Sequence, residues 1–248
     1  MAPLVLINRT GQNMCYVNTA VQILFSITAF RDCFLPNNTE DFSLANHPIC
    51  REICRLFLTS KEPVGLKTIS AIQLRDLVAD KSGLIYLKNG EQQDMEEFLK
   101  ALINELEKEV QYRPIILEQV TKFWGREQIK RKFNTDSGRC ETCGYFLQQG
   151  SPQGFLTLTI PVPAPPILGD PPVNIGSLLQ SYTTLKTMNT TCGSCHIGPK
   201  TVLEQTFITD VPDLFLICLN RFALDQHRKT KTKVILDDPL IRQDGTTF

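Results

Sequence analysis

The chain has 248 residues, 42% of them hydrophobic and 21% charged, a composition that supports a folded core and excludes a disordered chain. Lys+Arg and Asp+Glu are equal at 26 each, so there is none of the basic excess that phosphate binding usually leaves, which argues against a nucleic-acid partner. No segment approaches the ~20 apolar residues needed to cross a bilayer.

The N-terminal residues, Met1 to Ile7, lack a basic leader and a small-residue cleavage site. An intracellular home in cytoplasm or nucleus is therefore expected. Nine cysteines, an odd number, fit reduced thiols there better than a disulfide framework.

In chain order, Val17, Val21, Leu24 and Phe25 follow Cys15 at a spacing that predicts an amphipathic helix. A second helix is predicted from Ile49 to Leu58, where Ile53, Leu56 and Phe57 share a face. A third runs from Met95 to Val110, with Asp94 as N-cap, Glu97 answering in a capping box, Leu99, Leu102 and Leu106 as its buried stripe, and Pro114 marking its end. Strands follow. Phe155 to Ile160 alternates apolar and hydroxyl residues, and Pro161 to Pro172 carries six prolines and is expected to be extended loop. Ser177 to Tyr182 predicts a short helix. Val202–Thr209 and Leu214–Phe222 are predicted strands around a turn at Pro212, with a further strand at Lys233–Leu236. Helices first and strands later predict an α+β fold.

Three motifs carry chemistry. The first is Asn8-Arg9-Thr10-Gly11-Gln12-Asn13-Met14-Cys15-Tyr16-Val17-Asn18, a cysteine between a Gly- and Asn-rich turn and a helix. Unpaired amides at a helix start favour thiolate over thiol and can hold an oxyanion, so Cys15 is a candidate nucleophile, although a cysteine at such a place is more often a small buried residue. The second is Gly90-Glu91-Gln92-Gln93-Asp94-Met95-Glu96-Glu97-Phe98-Leu99 at the start of the third helix. The third is the pair Cys140-x-x-Cys143 and Cys192-x-x-Cys195, whose four thiolates can fill one tetrahedral zinc shell. Two reduced pairs without metal, or a redox pair, are the other outcomes of that spacing. His196, beside Cys195, is an alternative ligand.

The first two motifs resemble the cysteine box and the Gln-Gln-Asp box of the ubiquitin-specific proteases. Cys15, Tyr16 and Asn18 match the first box, with Val17 in place of Met, Met14 in place of Thr, and a loop two residues longer before the cysteine. Phe123-Trp124-Gly125 resembles the family's Phe-x-Gly strand. Asp210-Val211-Pro212 followed by Leu216 to Phe222 resembles its Leu-Pro…His-Leu-Lys-Arg-Phe strand, with Cys218 and Asn220 at the His and Lys places.

The resemblance implies a single papain-like catalytic domain over 1–248. A helical thumb would span about 1–113, zinc-ribbon fingers about 114–210 and part of a palm about 211–248, its last strands absent. It implies Cys15 as nucleophile, Asn8 or Asn13 as oxyanion donor, Gln93 and Asp94 as contacts for the ubiquitin tail, and a structural zinc on Cys140, Cys143, Cys192 and Cys195. The reaction implied is hydrolysis of the isopeptide bond after the C-terminal glycine of ubiquitin, on ubiquitin and ubiquitinated proteins.

Such chemistry needs an imidazole. The histidines are His47, His196 and His227, none in a Gly-His-Tyr-like histidine box, which would begin beyond Asp244-Gly245-Thr246-Thr247-Phe248. The expectation is impaired hydrolysis, from a fragment of an active enzyme or from an inactive relative that serves as a ubiquitin-binding scaffold. Recruitment of His227 is the third explanation. A zinc-ribbon nucleic-acid module is a weaker rival, disfavoured by the neutral charge.

Overall fold

The computed structural model describes residues 5–9, 11–35, 47–59, 69–163, 172–221 and 232–235. The chain divides into two units, Met1–Lys122 and Phe123–Phe248, the first helical and the second built mainly from strands, a mixed α+β organisation.

Among the described residues of the first unit there are six helices: α1 (Cys15–Ser26), α2 (Thr28–Cys33), α3 (Pro48–Thr59), α4 (Ile72–Ser82), α5 (Met95–Val110) and α6 (Pro114–Thr121), with a 3-10 turn at Ile85–Lys88. The predicted helices after Cys15, at 49–58 and at 95–110 are all present. In each the apolar stripe is the buried face: Val17, Val21 and Leu24 in α1, Ile53, Leu56 and Phe57 in α3, Leu99, Leu102 and Leu106 in α5. The side chains of Phe25, Phe30 and Phe34 gather on Phe57 at ring separations of 5.3, 6.5 and 6.2 Å, an aromatic knot joining α1, α2 and α3.

Two expectations about α5 need correction. Asp94 does cap it, accepting the amides of Glu96 and Glu97 at 2.6 and 3.2 Å, but the reciprocal half of the capping box is not formed. The Glu97 carboxylate instead accepts the hydroxyl of Tyr86 on the 3-10 turn. Nor does Pro114 mark a stop. α5 ends four residues earlier, and Pro114 opens α6 at a position where a missing N–H costs nothing.

α3 draws its cap from far along the chain. The buried carboxylate of Glu109 on α5 accepts the first-turn amides of Ile49 and Cys50 at 3.2 and 3.0 Å and pairs with Lys81 of α4 at 3.1 Å. One side chain thus ties three helices.

The second unit has strands β1 (Gly125–Phe133), β2 (Gln153–Phe155), β3 (Thr157–Pro161), β4 (Val173–Asn174), β5 (Lys186–Thr190), β6 (Lys200–Asp210), β7 (Leu216–Asn220) and β8 (Val234–Ile235), with α7 (Ile175–Thr183) between β4 and β5. The main sheet is antiparallel in the order β2-β1-β6-β5, and Phe133 at the end of β1 faces Val202 at the start of β6. β3 pairs with β7, and β4 with β8, in parallel. Along β3 burial alternates, with Leu158 and Ile160 inside and Thr159 outside, as its pattern predicts.

The predicted strand at 155–160 is in fact two strands that part at Leu156. Pro161 belongs to β3, while residues 164–171 of the proline-rich stretch lie outside the described residues. The expected strands at 214–222 and 233–236 are shorter, and Phe222 and Leu236 lie outside the described residues. Phe155, Leu158, Ile160, Val162, Leu178 and Leu179 make the core of this unit. Tyr182 of α7 donates its hydroxyl to Glu127 of β1 at 2.7 Å.

Gly125 opens β1 because nothing larger fits. A Cβ there would lie 2.5 Å from the ring of Phe155, 2.7 Å from Cδ of Pro212 and 2.9 Å from the carbonyl oxygen of Asp210. Gly125→Ala is expected to lower stability by about 1–3 kcal/mol, read as a lower urea midpoint. An unchanged midpoint would mean that this corner is looser than described.

Candidate active site and metal centre

Cys15 is the first residue of α1 and is exposed. The helix has no side-chain cap, and its first internal bond runs from the amide of Asn18 to the carbonyl of Met14 at 2.9 Å. The amides of Cys15, Tyr16 and Val17 therefore precede the hydrogen-bonded helix and concentrate partial positive charge beside the sulfur.

Met14, where the resemblance leads one to expect Thr, is fully buried with its sulfur 3.7 Å from Nη1 of Arg75. It acts as a plug. With Met14 anchored inward, the next side chain, Cys15, is turned to solvent.

The two candidate asparagines have different surroundings. Asn8 uses its carbonyl oxygen, which accepts the amide of Met14 at 2.9 Å, and this fixes the side chain in the turn before Cys15. Asn13 has a left-handed backbone (φ 45°) and donates its side-chain amide to the carbonyl of Gly90 at 2.6 Å.

Two residues matched in the first box without any assigned role turn out to hold the loop in place. Asn18 donates to the carbonyl of Ile7 at 3.1 Å, and Ile7 is itself bound to Ile69. Tyr16 donates its hydroxyl to the carbonyl of Leu87 at 2.7 Å and packs edge-on against Phe98 at 5.6 Å. Burial pushes the Tyr16 pKa up, so the group keeps the proton it donates. Their presence in the box was the only sequence signal for either.

In the second box, Gln93 is half-buried and donates to Asn89 Oδ1 at 3.1 Å and to the carbonyl of Tyr86 at 3.4 Å. Asp94 is exposed, with one carboxylate oxygen committed to the α5 cap. The Asn13–Gly90 bond brings this corner against the loop that carries Cys15.

Three other thiols of this unit are buried. Burial pushes the Cys33 thiol up, and burial followed by the Glu109 carboxylate does the same to Cys50. Burial alone raises Cys54 to about 12. These groups stay protonated at neutral pH, which leaves Cys15 as the exposed thiol of the unit.

Of the histidines, His47 precedes α3 and lines a cleft of about 360 Å³ with Lys81, Glu105, Glu109 and Tyr112. His196 follows the second cysteine pair, and His227 lies outside the described residues.

In the second unit, the sulfurs of Cys140, Cys143, Cys192 and Cys195 all lie within 4.8 Å of one another. Cys140 and Cys195 are 3.9 Å apart and Cys143 and Cys192 3.7 Å apart, far beyond a disulfide bond. Sulfurs at tetrahedral corners around a zinc, each about 2.3 Å from the metal, would be about 3.8 Å apart.

The amide environment also suits thiolates. Burial disfavours charge on Cys140, but the amides of Cys143 and Thr142 with the neighbouring thiols outweigh it and bring the group down to about 6. The amide of Cys195, against burial, lowers Cys192 as well. Cys195 receives the amide of Ile197, yet burial and the other three sulfurs push it up to about 11. The donor set and its spacing fit zinc.

Each pair closes on a left-handed residue, Gly144 (φ 71°) and His196 (φ 56°), whose amides return to Cys140 and Cys192 at 2.7 and 2.9 Å. His196 thus takes the place of a knuckle glycine, and it is not among the four residues brought together as potential ligands. His196→Gly is expected to leave the bound metal unchanged and to raise the thermal midpoint slightly, because glycine adopts that backbone without strain. Loss of metal in this variant would instead make the imidazole a ligand.

A family model described as ubiquitin carboxyl-terminal hydrolase matches residues 6–244, a span that takes in both the Cys15 loop and the four-cysteine cluster. No curated protein sequence matches the chain significantly.

Proposed function

The chain belongs to the ubiquitin carboxyl-terminal hydrolase family, and from that premise we propose that it is a thiol-dependent deubiquitinase of the ubiquitin-specific protease type. Its fold would be papain-like, with a helical thumb, zinc-ribbon fingers and a palm, and its substrates ubiquitin and ubiquitinated proteins. The observation that carries this reading is the exposed Cys15 at the uncapped start of α1, tied through the adjacent loop to the Gln93–Asp94 corner.

The Cys15 sulfur attacks the carbonyl carbon of the C-terminal glycine of ubiquitin. A C–S bond forms, the isopeptide C–N bond breaks, and the lysine amine leaves with a proton. Water then cleaves the thioester. Oxyanion charge in both steps falls to the first-turn amides and to an asparagine. Asn8 is favoured, because its side chain is fixed by the bond at its own oxygen, whereas Asn13 spends an N–H on Gly90. Gln93 and Asp94 steer the tail. Cys140, Cys143, Cys192 and Cys195 would hold a structural zinc, which supplies a rigid cross-link and takes no part in the reaction.

The thiol proton must also be removed. Among the described residues His47 lines the cleft with Glu109 and His196 closes a knuckle, so neither is assigned that role. The same observation favours a second reading, a catalytically inactive ubiquitin-binding scaffold. Ubiquitin carrying a C-terminal vinyl methyl ester separates the two. Covalent capture mapped to Cys15 supports the enzyme; saturable binding without capture supports the scaffold; no binding of either kind overturns both. If a ubiquitin amide is turned over and His227→Ala keeps the activity, recruitment of His227 is wrong.

A further inference from the structure

We propose that Asn13 is a positioning residue, a strut that holds the loop at 89–94 against the loop carrying Cys15 and so sets the spacing between nucleophile and tail-binding corner. The two loops are 77 residues apart in sequence, and the Asn13 amide crosses between them to the main-chain carbonyl of Gly90 at 2.6 Å.

Their backbones also run close together. A Cβ added at Gly90, where φ is +76°, would come within 3.2 Å of the carbonyl oxygen of Gly11. Only a residue that tolerates the left-handed region and carries a short donor can serve at position 13, and asparagine meets both demands.

Tyr16 supplies a second, buried strut to Leu87, on the other side of the 87–90 turn. The tail-binding corner moves with that turn. Gln93 is clamped to Asn89 and to the carbonyl of Tyr86, so a shift of Gly90 carries Gln93 along. The strut thus couples the two boxes mechanically while leaving the reacting carbonyl to other donors.

The ubiquitin part of this inference rests on the deubiquitinase reading; the strut itself does not. Hydrogen exchange on the full chain tests it, using Asn13→Ala, Asn13→Asp and Asn13→Gly. The glycine variant keeps the backbone conformation without strain and isolates the lost amide, and the aspartate variant keeps the shape but offers no donor.

Amides over 87–94 are expected to exchange about 3–10-fold faster in all three, with α3 and β6 unchanged. Unchanged exchange in Asn13→Gly overturns the strut. With the ubiquitin vinyl methyl ester, the concentration for half-maximal capture should rise while the saturating rate holds. A fall in the saturating rate alone would mean that Asn13 acts on the reacting carbonyl and would overturn the positioning role. If the wild-type chain is never captured, the deubiquitinase reading fails, and the exchange result still decides the strut.

Discussion

Cys192→Ser is expected to empty the four-cysteine centre and to unfold the tip of the β1–β6–β5 sheet. Apart from its strand ladder and turn hydrogen bonds the tip has little apolar burial. Its buried cluster consists of Phe133, Cys140, Cys192 and Val202, so two of its four members are proposed ligands. β5, at the sheet edge, has every residue exposed. A structural zinc contributes about 10–16 kcal/mol of apparent binding free energy in small domains, far more than this cluster can supply by apolar burial.

The wild-type chain should carry about one zinc by elemental analysis, and the variant none. Hydrogen exchange should then show lost protection over 134–147 and 190–202. α7 and β3, which pack in a separate core, should keep theirs. A strong chelator should produce the same pattern in the wild type. A metal-free wild type with a fully protected tip would sink the assignment.

Cys15→Ser is expected to abolish covalent capture by the ubiquitin vinyl methyl ester, a loss of at least about 10³-fold. Serine keeps the size and the hydrogen-bonding capacity of the side chain, so α1 and its loop should fold as before and ubiquitin should still bind. The other thiols are poorer candidates: Cys33, Cys50 and Cys54 are buried and held protonated, Cys140, Cys143, Cys192 and Cys195 form the proposed metal centre, and Cys218 is half-buried on β7. Peptide mapping of the wild-type adduct should therefore find the label on Cys15. An adduct of equal yield in the serine variant would place the nucleophile elsewhere.

How much of this was readable from the residues alone depends on the range of the interaction. α1, α3 and α5 announce themselves because their apolar residues repeat at helical spacing over three turns or more, and the alternation in β3 does the same for a strand. Cys15 and the two cysteine pairs were visible as motifs, since residue type and local spacing carry their chemistry.

α2 was not visible; six residues are too short to show a period. α4 was missed because its buried residues, Leu74, Val78 and Ala79, form a thin stripe, and α6 because its opening proline resembles a stop. The cap that Glu109 lends to α3 and the strut that Asn13 lends to Gly90 span 59 and 77 residues. The meeting of the two cysteine pairs required the pairing of β1, β6 and β5. Those decisions belong to tertiary structure for one reason. Their partners are main-chain carbonyls, amides and strand registers that every residue possesses, so no residue type marks them, and only the folded chain selects which of them meet.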